Sequence, residues 1–395
     1  MLACEEVWRR IEPATAPRGS ERLARAAALG RVLARPLVAA ADLPAADVSA
    51  LDGFALAGAV AAGAVLPVAA TAAAGAPPGR PLAPGSAVEI WTGALVPPDA
   101  DRVVGVEQTA PAGAGRIRIL EPPAPGHAIR RGGEVARAGA VLAAVGTPLT
   151  PATLALAASQ GCAELEVHRA PRVAFLVTGD EVLPPESVPA PGQLRDSHSD
   201  FLLAAGRRLG LAFEALGHSP DHPGRLGARL RDALDGSDVV LTCGGVSMGG
   251  ADHVRAVLED LGCEIGLHGV AMQPGKPLLV ARRAETLVFG LPGNPASVMV
   301  AFRVFVRPAL ERMLGRAAAF WSDAVEVALE GPIPAGRGRD RFLPARREGP
   351  RAARPLEARG SHDLLAFGLA DLLVRARPGD PGREAGATAE AIDFP

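Results

Sequence analysis

Between residues 172 and 314, acidic side chains recur at glycine-rich turns, each following a short apolar run. Residues 173–177 end in Thr178, Gly179, Asp180 and Glu181; residues 238–242 run into CGGVSMGGAD (243–252); residues 287–289 lead into GLPGNPAS (290–297). Glycines 244, 245, 249 and 250 around Val246, Ser247 and Met248 let backbone N–H groups converge on an anion, and a helix starting near Asp252 adds its dipole. A phosphate or other oxyanion is the expected ligand. Glu181 and Asp252, placed at the same rim, would hold Mg2+ bridging to phosphate oxygens. Read alone, each glycine cluster could be only a tight turn; three on consecutive strands point to a site.

The elements that must position these turns follow from the pattern between them. Apolar runs of about four to six residues alternate with helical patterns of about 10 to 15, which predicts a parallel sheet with helices on both faces. Ligands of such sheets bind beyond the carboxyl ends of the strands, where these turns fall. Helices are expected over residues 252–261 and 298–314.

Composition narrows the function classes. The 395 residues allow roughly two to four domains. A net charge of −2 leaves no electrostatic footprint for nucleic acid. Cys4, Cys162, Cys243 and Cys263 form no CxxC pair, which argues against a zinc site or disulfide framework and for a reducing compartment. The chain lacks an apolar run of about 18 residues, and Cys4 follows no basic or apolar segment, so a soluble, cytoplasmic protein without membrane contact is expected. The excess of Ala, Arg, Gly and Pro with no Tyr reflects a compositional bias that weakens propensities built on Ala.

Outside the central stretch the pattern changes twice. Val7, Trp8 and Ile11 share one face of an opening helix, and residues 20–33 read as a second helix with Ser20 as its N-cap. From 42 to 138 β-type runs at 65–70, 87–91, 102–107 and 116–120 alternate with Gly and Pro, which predicts a small β-domain. A run at 141–145, a helix at 151–159 and a strand at 163–168 complete a connecting region. Strands at 324–329, 341–346 and 372–376 predict a C-terminal β-domain, with the last dozen or so residues expected to fray.

Several turns in these flanking regions carry further candidates. Asp52 precedes Gly53 and Thr92 precedes Gly93, both also ordinary hairpin signals. Arg130, Arg131 and Glu134 form either an anion-facing cluster or a solvated loop. Lys276, held between Pro274 and Pro277, is either a pre-set point charge for an oxyanion or a surface lysine in a tight turn. GRGRDRF (336–342) and GSHD (360–363) again place Gly beside cations or a hydroxyl.

Together these segments resemble one family, the molybdopterin molybdenumtransferases: the MoeA proteins of molybdenum cofactor synthesis and the E domains of gephyrin and its plant counterpart. The match runs nearly the full length in the same order, through SALDGFA (49–55) against a family SAMDGYA pattern, WTGALVP (91–97), TGDEV (178–182), CGGVSMGGAD (243–252), QPGKP (273–277) and GLPGNPAS (290–297). The resemblance implies an elongated subunit of α/β plus β class. Its parts would be an N-terminal helix (1–18) packed on the α/β domain, a linking domain (19–41 and 139–170), an inserted β-rich domain (42–138), a central MogA-like α/β domain (171–316) and a C-terminal β-barrel (317–395). It also implies a homodimer whose cleft lies between domains of both subunits.

The activity so implied is insertion of molybdenum from molybdate into adenylylated molybdopterin, with Mg2+-assisted hydrolysis of the adenylate. A molybdopterin adenylyltransferase and apo-molybdoenzymes would be partners. By position, Asp52, Thr92, Glu181 and Asp252 match residues with metal, nucleotide or catalytic roles, Glu181 and Asp252 being the metal pair. Lys276, Ser297, Arg339 and Ser361 match the surroundings of molybdate, with Gln273, Pro292 and Asn294 in the same binding set. Gly244, Gly245, Ser247 and Gly249 would cradle the pterin phosphate.

Departures from the pattern cluster at this site. Gln273 stands where the family has a first Lys, Glu134 falls where it has an Asp after Gly-Glu, His198 replaces the Asn of an Asp-Ser-Asn run, and Arg341 replaces an acidic residue. One lost charge-assisted contact corresponds to about 1.5–3 kcal/mol, or roughly ten- to a hundredfold in affinity. Two further readings therefore stand beside the enzyme: a non-catalytic molybdopterin carrier or scaffold, and adenylyl transfer, against which the extra β-domains argue.

Overall fold

The computed structural model describes residues 1–77, 81–246 and 253–394. They form two compact units: Met1–Ala34, Gly146–Thr150 and Glu164–Pro395 make the first, Arg35–Val145 and Pro151–Ala163 the second.

Three largely apolar strands, Val173–Thr178, Val239–Cys243 and Thr286–Leu291, are buried along their whole length at the centre of the first unit. Burial on both faces requires such runs, because successive side chains point to opposite sides of a strand. Phe175, Val177, Leu241 and Phe289 pack on one side with Val7, Trp8 and Ile11 of the opening helix Cys4–Ile11. Ala174, Leu176, Val240 and Val288 pack on the other with Leu226, Leu230, Val254 and Val257. The six-stranded order is Phe213–Ser219, Val173–Thr178, Val239–Cys243, Thr286–Leu291, Leu279–Arg283, Glu264–His268. The sheet is not wholly parallel. Leu279–Arg283 runs antiparallel to both its neighbours, since only Ala284 and Glu285 separate it from Thr286, far too short a link for a parallel crossover.

After the last central strand the chain runs through Pro295–Ala301, a π-helical segment Phe302–Val306 and Arg307–Met313, much as the apolar spacing predicts. The helix expected from Ser20 does not form. Ser20–Ala24 is instead a strand paired antiparallel with Glu164–His168, and the Ser20 hydroxyl donates to Glu166 at 2.7 Å. Tertiary pairing overrides the helix propensity of an Ala-rich stretch.

The C-terminal strands close into a five-stranded barrel. Asp340–Gly349 pairs with Ala352–Pro355 and Leu372–Ala376; Thr388–Asp393 and Val325–Leu329 complete the ring. The expected fraying is overturned here: Thr388–Asp393 is bonded on both edges and buries Ala389, Ala391 and Ile392. One further pair of residues, Met272–Gln273, adds to the barrel as a parallel extension on Asp340 and Arg341.

Inside the first unit lies a buried charge. Arg375, 3% exposed, donates to Asp340 at 2.7 Å and to Glu5 of the opening helix at 2.5 Å, with its guanidinium 4.9 Å from the Phe320 ring centre and 5.6 Å from that of Trp321.

The second unit is mainly β. Its six-stranded sheet has the order Arg102–Gly105, Gly53–Leu56, Ala87–Ile90, Val65–Ala72, Arg116–Ile119, Thr109–Pro111, with Ala55, Ile90 and Val103 in one core and Leu56, Val104 and Ile119 in another. The helix Pro151–Ser159 lies in this unit as well.

Replacing Arg375 with Ala strands the Asp340 carboxylate, so stability should fall by about 3–5 kcal/mol. Denaturant unfolding would show a lower midpoint at unchanged slope. A loss below about 1 kcal/mol, the size expected of an exposed pair, would mean that Asp340 does not depend on this partner.

Candidate functional site

A cavity of about 280 Å3 opens in the first unit where loops of the α/β sheet meet the barrel. The QPGKP turn forms one wall. Its entry is fixed by the pairing of Gln273 with Arg341, and its exit by the Val270 amide donating to the Lys276 carbonyl at 2.8 Å. The loop before helix Pro295–Ala301 brings Pro292 and Asn294, and the helix itself brings Ser297, 3% exposed. Ser361 joins because its carbonyl accepts from the Ala296 amide at 3.2 Å. Arg339 and Arg341 reach the cavity from the barrel. Thus Gln273, Lys276, Pro292, Asn294, Ser297, Arg339 and Ser361, all expected from sequence, line one space.

Its electrostatics are one-sided. Lys276, Arg339 and Arg341 line the cavity and, among the described residues, no carboxylate does. Burial and the like charges of Arg337 and Arg339 push the Arg341 guanidinium below its ordinary pKa. A signal in the sequence would have pointed to this wall: of 41 Lys and Arg residues, Lys276 is the only lysine. Where composition has turned every other cation into Arg, a remaining Lys marks a place that needs a compact ammonium.

A second group of charges sits at the carboxyl ends of the strands. Asp180 and Glu181 follow Val173–Thr178, and the Asp221 amide, just beyond Phe213–Ser219, donates to Asp180 at 3.1 Å. Burial first, then Asp180 and Glu181, raise the Asp221 carboxyl above its usual range. Asp221 was not anticipated, since nothing but its place after a strand distinguishes it. Such hard oxygen donors suit Mg2+, which takes one or two carboxylates and leaves its other positions to water and phosphate. Among the described residues no three ligating side chains are grouped closely enough to enclose a metal by themselves.

Beside them the glycine loop begins with Gly244 at φ +97° and Gly245 at +63°. A Cβ on Gly244 would lie 2.7 Å from the Thr178 carbonyl oxygen, so only glycine fits against the neighbouring strand end. Ser247, Gly249 and Asp252 lie outside the described residues.

In the second unit Asp52 and Thr92 do meet. The Thr92 amide (2.7 Å) and hydroxyl (2.8 Å) both donate to Asp52 Oδ1, and these bonds, the amide first, hold the carboxyl below its usual range. The Arg130 to Glu134 cluster is internally paired: Arg131 bonds Asp47 at 2.5 Å, and Glu134 accepts from the Arg131 amide and lies 3.6 Å from Arg130. Both arginines there thus already have carboxylate partners.

Comparison with known proteins places this architecture. Residues 2–161 match the family model described as the MoeA N-terminal region (domain I and II), and residues 174–312 match the probable molybdopterin binding domain. A molybdopterin molybdenumtransferase of a Nostoc species is 38% identical over 80% of this chain and 74% of its own length; that of Bacillus subtilis is 32% identical over 81% and 75%. A crystal structure of a molybdopterin biosynthesis MoeA protein from Pyrococcus horikoshii superposes with a TM-score of 0.86 at 30% identity, covering 100% of this chain and 99% of that one. The chain belongs to the molybdopterin molybdenumtransferase family.

The positions at which it departs from the family pattern have distinct surroundings. Gln273 and Arg341 are cross-strand neighbours on the cavity wall. His198 opens the helix His198–Leu209, 8% exposed, with neither ring nitrogen bonded, and burial holds its pKa below the usual histidine value.

Thr92→Val keeps the backbone donor to Asp52 but removes the hydroxyl. The Asp52 titration midpoint, followed by carboxyl 13C NMR, should rise toward the ordinary aspartate value; an unmoved midpoint would show that the hydroxyl does not hold the charge.

Proposed function

We propose that this protein inserts molybdenum from molybdate into adenylylated molybdopterin, with hydrolysis of the adenylate, forming molybdenum cofactor. The observation that carries the reading is the cavity that combines Lys276, Arg339, Arg341, Ser297 and Ser361 with no carboxylate among the described residues, within a chain of this family.

A tetrahedral dianion fits such a wall. Lys276 acts as a point charge, Arg339 offers a planar fork of N–H donors, and the two serine hydroxyls donate to the remaining oxygens. Pro292 and Phe367 keep that side of the cavity apolar, which strengthens each charged contact. Gly244 and Gly245, with Ser247 and Gly249, supply backbone donors to the pterin phosphate. Glu181 and Asp252 would hold Mg2+, with Asp221 close to Glu181; when bound, the ion neutralises charge on the phosphate oxygens. Asp52, its carboxyl held below the usual range by the Thr92 hydrogen bonds, is the acidic group that this reading takes from the second unit. The reading includes a cytoplasmic homodimer supplied by a molybdopterin adenylyltransferase and serving apo-molybdoenzymes.

The test is a single-turnover reaction of the full chain with adenylylated molybdopterin, Mg2+ and a molybdate series, following AMP release and active cofactor together. Both should saturate with molybdate, and Lys276→Met should weaken the molybdate dependence roughly ten- to a hundredfold through loss of a charge-assisted contact. Tight binding of the adenylate with neither product at any molybdate concentration would replace the enzyme with a carrier.

A further inference from the structure

We infer that Arg341 binds the oxyanion directly and is the cavity's second barrel-borne cation, supplying from the strand opposite Gln273 the charge that Gln273 lacks. The inference rests on the oxyanion reading of the cavity given above.

The backbone register decides which way these side chains face. Met272 lies opposite Asp340 and Gln273 opposite Arg341 in the parallel extension. Met272 and Asp340 are 0% and 1% exposed, Asp340 turned toward Arg375 in the interior. Side chains alternate along a strand, so Gln273 and Arg341 share the other, less buried side, and both line the cavity, whose wall also includes Met272 and Phe342. Asp340, adjacent in sequence, is therefore committed elsewhere and leaves Arg341 uncompensated.

Arg341 itself is held but not satisfied. Its Nη1 donates to the Ala335 carbonyl at 3.2 Å, which anchors one corner of the guanidinium. Its Nε is shut off from solvent with no hydrogen-bond partner. A buried N–H without an acceptor is costly, and a guanidinium has five donors to place. Arg337 and Arg339 lie close enough to repel it, and among the described residues no carboxylate forms an ion pair with Arg341 or Arg339. Cations converging on a cavity that no carboxylate lines among the described residues are relieved by an anion between them. With Nε shut off from solvent and Nη1 anchored, the Nη2 end remains to donate to an oxyanion from a fixed, planar cation, which a flexible ammonium does not reproduce.

Calorimetric titration of the full chain with molybdate and with tungstate tests this. Arg341→Gln should weaken binding roughly ten- to a hundredfold, and Arg341→Lys should recover only part of the loss. In the Arg341→Gln background, Gln273→Lys should restore binding by returning a cation across the strand pair. An unchanged melting temperature and unchanged affinity for adenylylated molybdopterin would separate a lost contact from a lost fold. Equal oxyanion affinity in the parent and Arg341→Gln overturns the role of Arg341 alone. Absence of molybdate and tungstate binding in the parent chain, with the adenylate still bound, overturns the oxyanion reading and this inference with it.

Discussion

The guanidinium of Arg375 is held where three parts of the first unit meet. Glu5 comes from the opening helix, Asp340 from the barrel strand that carries Arg341 and directly follows Arg339, and Phe320 and Trp321 from the segment linking the helical run to the barrel. The Asp340 amide donates to the Ala271 carbonyl, and the Ala271 amide to the Leu2 carbonyl. One buried ion pair thus sets the start of the QPGKP turn against the barrel. Such a pair contributes little net stability compared with apolar packing, but it admits few alternative arrangements, because shifting either strand would leave a charge unpaired in the interior. The cavity wall inherits that definition.

The charges of the first unit are sorted by sign. Strand ends of the α/β sheet present Asp180, Glu181 and Asp221, whereas the wall shared with the barrel presents Lys276, Arg339 and Arg341. A net charge of −2 conceals this separation. Each side is energetically unfavourable by itself: Asp221 is raised by its acidic neighbours and Arg341 is lowered by its basic ones. Strain of this kind is released when ligands of the opposite charge arrive, a cation at the acidic strand ends and an anion at the basic wall.

Much of this was legible before any coordinates, for reasons that differ by element. Val173–Thr178, Val239–Cys243 and Thr286–Leu291 announce themselves because a strand buried on both faces has no polar alternation to hide behind. Ser20–Ala24 reads as helix because it opens an Ala-rich stretch, and its partner, Glu164–His168, is remote in sequence. Leu279–Arg283 escaped because hairpin reversal depends on a two-residue turn without a Gly signal, where Ala284 takes φ +50°. The cavity residues on Gly- and Pro-marked turns were found from sequence pattern and family likeness. Asp221 and the Gln273–Arg341 neighbourhood were not, since one needs a strand-end position and the other a register, neither of which leaves a periodic trace.

The presence of a single lysine reaches beyond the pocket's charge. Lys276 is exposed and lines the cavity, and the only other amine in the chain as given is its terminus. Any reagent that acylates amines therefore has one side-chain target, and it is in the candidate site. Ester-activated dyes, amine cross-linkers and immobilisation through surface amines, ordinarily harmless handling steps, would act here as site-directed inactivators, while protection by bound oxyanion would count occupied sites directly.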